Sequence, residues 1–169
     1  MTGVELSRYR DRIVHSIVFE QLTPAELDLI VPRCRLVEAS PGQMILTEGK
    51  QGTGLYIVLE GEVEAFLPDE ASDGLKRRSA IQLNVLGPGR CFGEYGLVDD
   101  SPSSASVRAL VPTRLCWLPR DDFRSLTEQH DRLAKVIYSN LLRFLIRRLR
   151  VKDQELDVML LIEDRAPPA

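Results

Sequence analysis

From Arg35 to Pro119, glycine and proline cut the chain into short runs rich in apolar and β-branched residues, with a break about every ten residues. Runs of that length end before a stable helix can form, and evenly spaced breaks suit the turns of an antiparallel barrel or jelly roll. The runs are Arg35 to Ala39, Gln43 to Leu46, Leu55 to Leu59, Glu62 to Leu67, Ser79 to Val85, Ala105 to Leu110 and Arg114 to Leu118. Pro41-Gly42, Glu48-Gly49, Gly52 with Gly54, Gly61 and Gly87-Pro88-Gly89 separate them. A turn with φ above zero selects glycine on steric grounds alone, so these breaks speak for architecture and not for chemistry.

Helical periodicity flanks this region on both sides. Leu6, Ile13, Val14, Ile17 and Val18 recur at helical spacing and predict an amphipathic helix from Val4 to Phe19. Thr23-Pro24-Ala25-Glu26 supplies a cap residue, proline at the first helical position and a carboxylate at the third, so a second helix starts there and ends near Val31, before Pro32. Helical period resumes at Asp121, and from Asp131 to Ile162 there is neither glycine nor proline, which predicts one long helix. Along it Tyr138, Leu142, Leu145, Leu149, Lys152, Leu156 and Met159 alternate in steps of four and three, a heptad seam interrupted once by lysine. A helix of this length outruns a small barrel, so the seam predicts a parallel homodimer. The expected organisation is N-terminal helices over 1–34, a β-roll over 35–120, C-terminal helices over 121–162 acting as lid and dimerisation element, and a frayed tail over 163–169.

With 44% hydrophobic and 28% charged residues, the 169-residue chain has enough apolar surface for the core of one domain. Its formal charge of -3 sets up no field that would gather nucleic acid or anionic membrane. Cys34, Cys91 and Cys116 are an odd set without metal-type spacing and read as core thiols in a reducing compartment, so a cytoplasmic location is expected. Met1 to Arg12 mixes acids and bases, unlike a signal or transit peptide, and the apolar stretches are too short to cross a bilayer.

The most informative stretch is Gly87-Pro88-Gly89-Arg90-Cys91-Phe92-Gly93-Glu94-Tyr95-Gly96-Leu97, followed by Ser101-Pro102-Ser103-Ser104-Ala105-Ser106-Val107-Arg108-Ala109. Together with Pro41-Gly42, Glu48-Gly49 and Leu55-Tyr56-Ile57-Val58-Leu59-Glu60-Gly61-Glu62-Val63, in that order and spacing, it resembles the cyclic-nucleotide-binding family of catabolite activator proteins, protein kinase A regulatory subunits and nucleotide-gated channels. The likeness runs from about Phe19 to Asn140. It implies an eight-stranded β-roll, a double-stranded β-helix of jelly-roll type. It also implies a phosphate-binding cassette over 91–109 and a nucleotide, cAMP or cGMP, covered by the C-terminal helix. The implied ligand-binding residues are Gly93, Glu94, Tyr95, Gly96, Ser103, Ser104 and Ala105, with Glu94 accepting the ribose 2′-hydroxyl and Gly93 letting the backbone approach the ligand.

At Ser103 the chain departs from the pattern, because nucleotide-binding members usually carry there an arginine that pairs with the cyclic phosphate. A buried charge-assisted pair contributes roughly 1.5 to 3 kcal/mol, so its loss weakens binding about ten- to a hundredfold. Glu94, Asp99 and Asp100 then stand without a balancing cation. Three substitutes are open: hydroxyls and backbone N–H groups of Ser103 and Ser104; the hairpin run Lys76-Arg77-Arg78, otherwise a solvated tip; or Arg143, Arg147 or Arg148 reaching in from the long helix, otherwise solvated or paired between helices.

The chain ends too soon after the long helix for a helix-turn-helix, and acids follow the basic run Arg143, Arg147, Arg148, Arg150, Lys152, so no nucleic-acid partner is expected. No enzyme is expected either: His15 and His130 fall outside the roll, leaving it no nucleophile with a base and no histidine to hold a metal. Two readings stay open. One is a regulatory module that senses a small ligand and signals through its C-terminal helix to a dimer mate or partner protein. The other is a nucleotide-independent dimerisation or protein-interaction domain.

Overall fold

The structure is a computed structural model describing residues 6–70, 74, 76–99 and 101–163, with side chains described as far as Asp157. Eight strands form two four-stranded antiparallel sheets. One has the order β1 (Arg35–Ala39), β8 (Thr113–Pro119), β3 (Gly54–Glu60), β6 (Cys91–Phe92); the other runs β2 (Met44–Leu46), β7 (Ser106–Ala109), β4 (Val63–Leu67), β5 (Ile81–Leu86). Sequential strands alternate between sheets in the first half of the roll, which is the wound jelly-roll arrangement that the glycine and proline breaks predict. Seven of the eight strands overlap the expected runs; β6 was hidden in the cassette because two residues are too few to show a period.

Strand β3 explains its own composition. Leu55, Ile57 and Leu59 face the helices, in a core with Ile13, Phe19, Phe123, Leu126 and Leu133, while Tyr56 and Val58 face into the roll with Val63, Phe92, Val107 and Leu115. A strand buried on both faces reads as a continuous apolar run. Edge strand β5 is the reverse case, with Ile81, Leu83 and Val85 exposed at 48%, 38% and 41%.

The expected N-terminal helix is not continuous. Residues 1–5 lie outside the described residues; beyond them α1 spans Arg10–Val14, and after an extended Ser16 (ψ 138°) a 3-10 turn spans Ile17–Phe19. Ile13, Val18 and Phe19 are all buried, and no single helical face brings positions 13, 18 and 19 to one side, so packing breaks the helix. The second helix, α2 (Pro24–Ile30), has the expected capping box: Thr23 Oγ1 accepts from Glu26 N–H, and the Glu26 carboxylate accepts from Thr23 N–H at 2.8 Å. It stops at Ile30, and Val31 and Pro32 enter a 3-10 turn.

The short helix α3 (Tyr95–Val98) lies in the cassette, and the C-terminal helices are α4 (Arg120–Gln129) and α5 (Asp131–Glu163), divided at His130. Thus α5 has 33 residues and ends at Glu163, where a frayed tail was expected to begin; residues 164–169 lie outside the described residues. Its first half docks through buried Leu133, Ile137 and Leu141, and buried Asn140 donates to the carbonyls of Val18 and Glu20 at 3.1 and 2.7 Å. The heptad seam faces outward: Leu142, Leu149 and Leu156 are 60%, 62% and 55% exposed, and Tyr138 meets Phe123 edge-on. Met159 lies on α5, but its side chain falls outside the described ones.

Candidate ligand site

Pairing of β6 with β3, Phe92 opposite Tyr56 and Cys91 opposite Ile57, sets the cassette against the 48–54 loop. Gly93 follows with φ +81°, and a Cβ there would lie 2.4 Å from the Gly54 carbonyl oxygen, so only glycine fits. On the next turn Gly96 backs onto Gly52; a Cβ on Gly52 would come 3.2 Å from Gly96 Cα and 3.8 Å from Ser103 Oγ. The 101–106 segment completes the wall. Gly49 N–H donates to the Ser103 carbonyl at 2.9 Å, Ser103 N–H donates to the Lys50 carbonyl at 2.8 Å, and Glu48 N–H donates to Ser106 Oγ at 3.0 Å.

Gly93, Gly96 and Ser103 therefore lie around the 48–54 loop, with Glu94 between the two glycines. Tyr95 is exposed on α3, and Ser104 and Ala105 lead into β7, Ser104 exposed and Ala105 half-buried. One expectation changes: with its N–H committed to Lys50, Ser103 offers a ligand only its hydroxyl, which leaves the backbone donor to Ser104.

Glu94 is 3% exposed, and its carboxylate is not left unbalanced, because Arg148 of α5 donates from Nη1 to Oε1. The guanidinium carbon of Arg148 also lies 5.8 Å from the Tyr95 ring centroid and 5.6 Å from that of Phe144. Burial pushes the Glu94 carboxyl above its ordinary range, and the charge of Arg148 pulls it part of the way back. Burial, helped by the Glu94 charge, pushes the Cys91 thiol up to about 12, which makes it a core thiol and not a nucleophile. Cys34 and Cys116 are likewise free and buried.

Of the arginines considered on the long helix, α5 delivers Arg148 and leaves Arg143 and Arg147 exposed. The spacing carried this signal, since Leu133, Ile137, Leu141, Phe144 and Arg148 follow one another in steps of four, four, three and four along the docked face. From the hairpin, Arg77 is not a solvated tip: it pairs with both oxygens of Glu48, at 2.8 and 3.1 Å, and donates to the Pro68 carbonyl at 2.7 Å. Two features escaped the sequence. The Glu48–Arg77 pair fastens the hairpin to the cassette loop, and a stacked ladder crosses three strands, Tyr56 lying 5.1 Å from Phe92 and 6.1 Å from Trp117 between ring centroids. Both depend on cross-strand register, which a single sequence does not display.

Comparison with known proteins places this geometry. A profile described as Cyclic nucleotide-binding domain matches residues 36–130. A cyclic AMP receptor protein of Thermus thermophilus is 35% identical over 150 residues, covering 89% of this chain and 65% of that protein. A cAMP-dependent protein kinase regulatory subunit of Eremothecium gossypii is 27% identical, covering 84% of this chain and 29% of that protein, so the chain spans less than two thirds of either relative. The crystal structure of a cyclic nucleotide-binding domain from Methylobacillus flagellatus superposes with a TM-score of 0.77 at 23% identity, covering 96% of this chain and 88% of that one, and shows the shared fold. No helix among the described residues is long and apolar enough to cross a membrane. With its two-sheet roll, its glycine-backed cassette and a family profile over more than half its length, the chain belongs to the cyclic nucleotide-binding domain family.

Proposed function

We propose that this chain is a non-catalytic regulatory domain that senses a cyclic nucleotide, cAMP or cGMP, and passes the occupancy of its cassette through α5 to a second copy or a partner protein. The observation that carries the reading is the ion pair of Arg148 with Glu94. It brings a cation to the cassette of a chain that lacks the usual arginine, and that cation belongs to the output helix. A ligand hydroxyl reaching Glu94 competes with Arg148 for the carboxylate, while the ligand phosphate attracts the same guanidinium. Occupancy and helix position are then linked, because the ligand favours one placement of Arg148 over the other. The hydroxyls of Ser103 and Ser104 and the Ser104 N–H supply neutral donors. Arg148 is about half exposed and replaces a buried pair only in part, so binding is weaker than in an intact cassette. A cytoplasmic location agrees with three reduced thiols.

A second reading, a nucleotide-independent interaction domain, is favoured by a different observation: the apolar seam of α5 is uncovered, while the Ser103 N–H is already satisfied within the chain. Isothermal titration with cAMP and cGMP up to millimolar concentration separates the two. Sensing predicts saturable binding that Glu94→Ala abolishes and Ser103→Arg tightens about tenfold or more. Absence of heat in the wild type and in Ser103→Arg selects the interaction domain.

A further inference from the structure

Arg148 stands on the border of two faces of α5. Behind it lies the docked stripe of Leu141 and Phe144; beside it runs the seam of half-buried Leu145 and exposed Leu149. In heptad terms the seam has Leu142, Leu149 and Leu156 at a, and Tyr138, Leu145 and Lys152 at d, which makes Arg148 a g residue and Asp153 an e residue. In a parallel two-stranded coil a g residue faces the e residue of the partner's following heptad, the position five residues on. Arg148 of one copy is thereby brought opposite Asp153 of the other, twice across the two-fold axis.

The side chains are free to meet. Arg148 uses Nη1 on Glu94 and is 49% exposed, so its other N–H donors remain open to solvent. Asp153 is exposed and has no hydrogen-bond or ion-pair partner among the described residues; its neighbour Lys152 is engaged with Glu155 at 2.6 Å. We infer that Arg148 joins two copies of this chain, holding Glu94 of its own cassette and Asp153 of the partner's α5 in one ion network. The inference rests on the dimer proposed above and adds its register and its link to the pocket: the guanidinium that guards the cassette is also a contact of the interface. A ligand that draws Arg148 inward loosens the dimer, and by reciprocity dimerisation holds Arg148 at Glu94.

Sedimentation equilibrium on the whole chain tests this. Asp153→Arg leaves the Glu94–Arg148 pair in place and sets like charges across the interface, so the dimer dissociation constant rises about tenfold. Asp153→Glu and the control Asp157→Arg, at an outward b position, leave it within about twofold. In an Arg148→Gln background, where the amide still donates to Glu94, the effect of Asp153→Arg falls to about twofold or less. A wild-type dimer indifferent to Asp153→Arg, or one whose response survives Arg148→Gln, overturns the bridge and leaves the dimer standing. A wild type that stays monomeric up to high micromolar concentration overturns the dimer itself.

Discussion

At the scale of single residues, Glu94 dominates the site. A carboxylate with so little exposure and one cationic partner is held above its ordinary range, because desolvation outweighs the attraction of Arg148. The folded state therefore binds this proton more tightly than the unfolded chain. The stability that follows is fully present below the ordinary carboxylate value of 4.5 and is lost as pH rises through the folded value above it. Urea unfolding of the wild type and Glu94→Gln across that range is expected to show the wild type losing ground to the variant as pH increases; the opposite slope would mean that Arg148 outweighs burial. Gly93 is the other decisive residue. Its left-handed φ and the Gly54 carbonyl behind it exclude any side chain, so the motif glycine is required by steric fit before any ligand is considered.

At the scale of elements, α5 is two helices in one. Its first half is fastened to the N-terminal 3-10 turn by Asn140 and by Leu133, Ile137 and Leu141; its second half touches the roll at Arg148 and then carries exposed leucines. Asn140 is the polar clamp of the docked half, and Asn140→Ala leaves the buried Val18 carbonyl and the part-buried Glu20 carbonyl without that donor. A loss of about 2 kcal/mol in chemical denaturation is expected, together with faster hydrogen exchange in the 17–20 turn. Asn140→Asp is expected to do no better, since a carboxylate facing two carbonyl oxygens has nothing to donate. The periodicity of α5 revealed both stripes and its start at Asp131, yet the division of the N-terminal helix at Ser16 was not legible. It arises because buried Ile13, Val18 and Phe19 demand directions that one straight helix cannot supply.

At the scale of the whole molecule, the exposed seam sets the expected assembly. Leu149 is 62% exposed, so Leu149→Glu is expected to leave the unfolding midpoint of the isolated chain almost unchanged while removing a core contact of the dimer. Light scattering is expected to give about twice the chain mass for the wild type and a single mass for the variant. Equal masses for the two proteins would take the seam out of the interface.

Seven of the eight strands, the glycine turns, the capped second helix and the long C-terminal helix were written in local pattern, because turn chemistry, capping and period are properties of neighbouring residues. The cassette was legible for the same reason: Gly93, Glu94 and Gly96 are close in the chain as well as in space. Tertiary structure decided everything that joins distant segments. It chose Arg148 among the arginines of α5, drew Arg77 onto Glu48, stacked Tyr56 between Phe92 and Trp117, and committed the Ser103 N–H to Lys50. Such contacts depend on strand register and on where a helix axis crosses the roll, and both are set by the packing of the entire core, so no stretch of sequence contains them by itself.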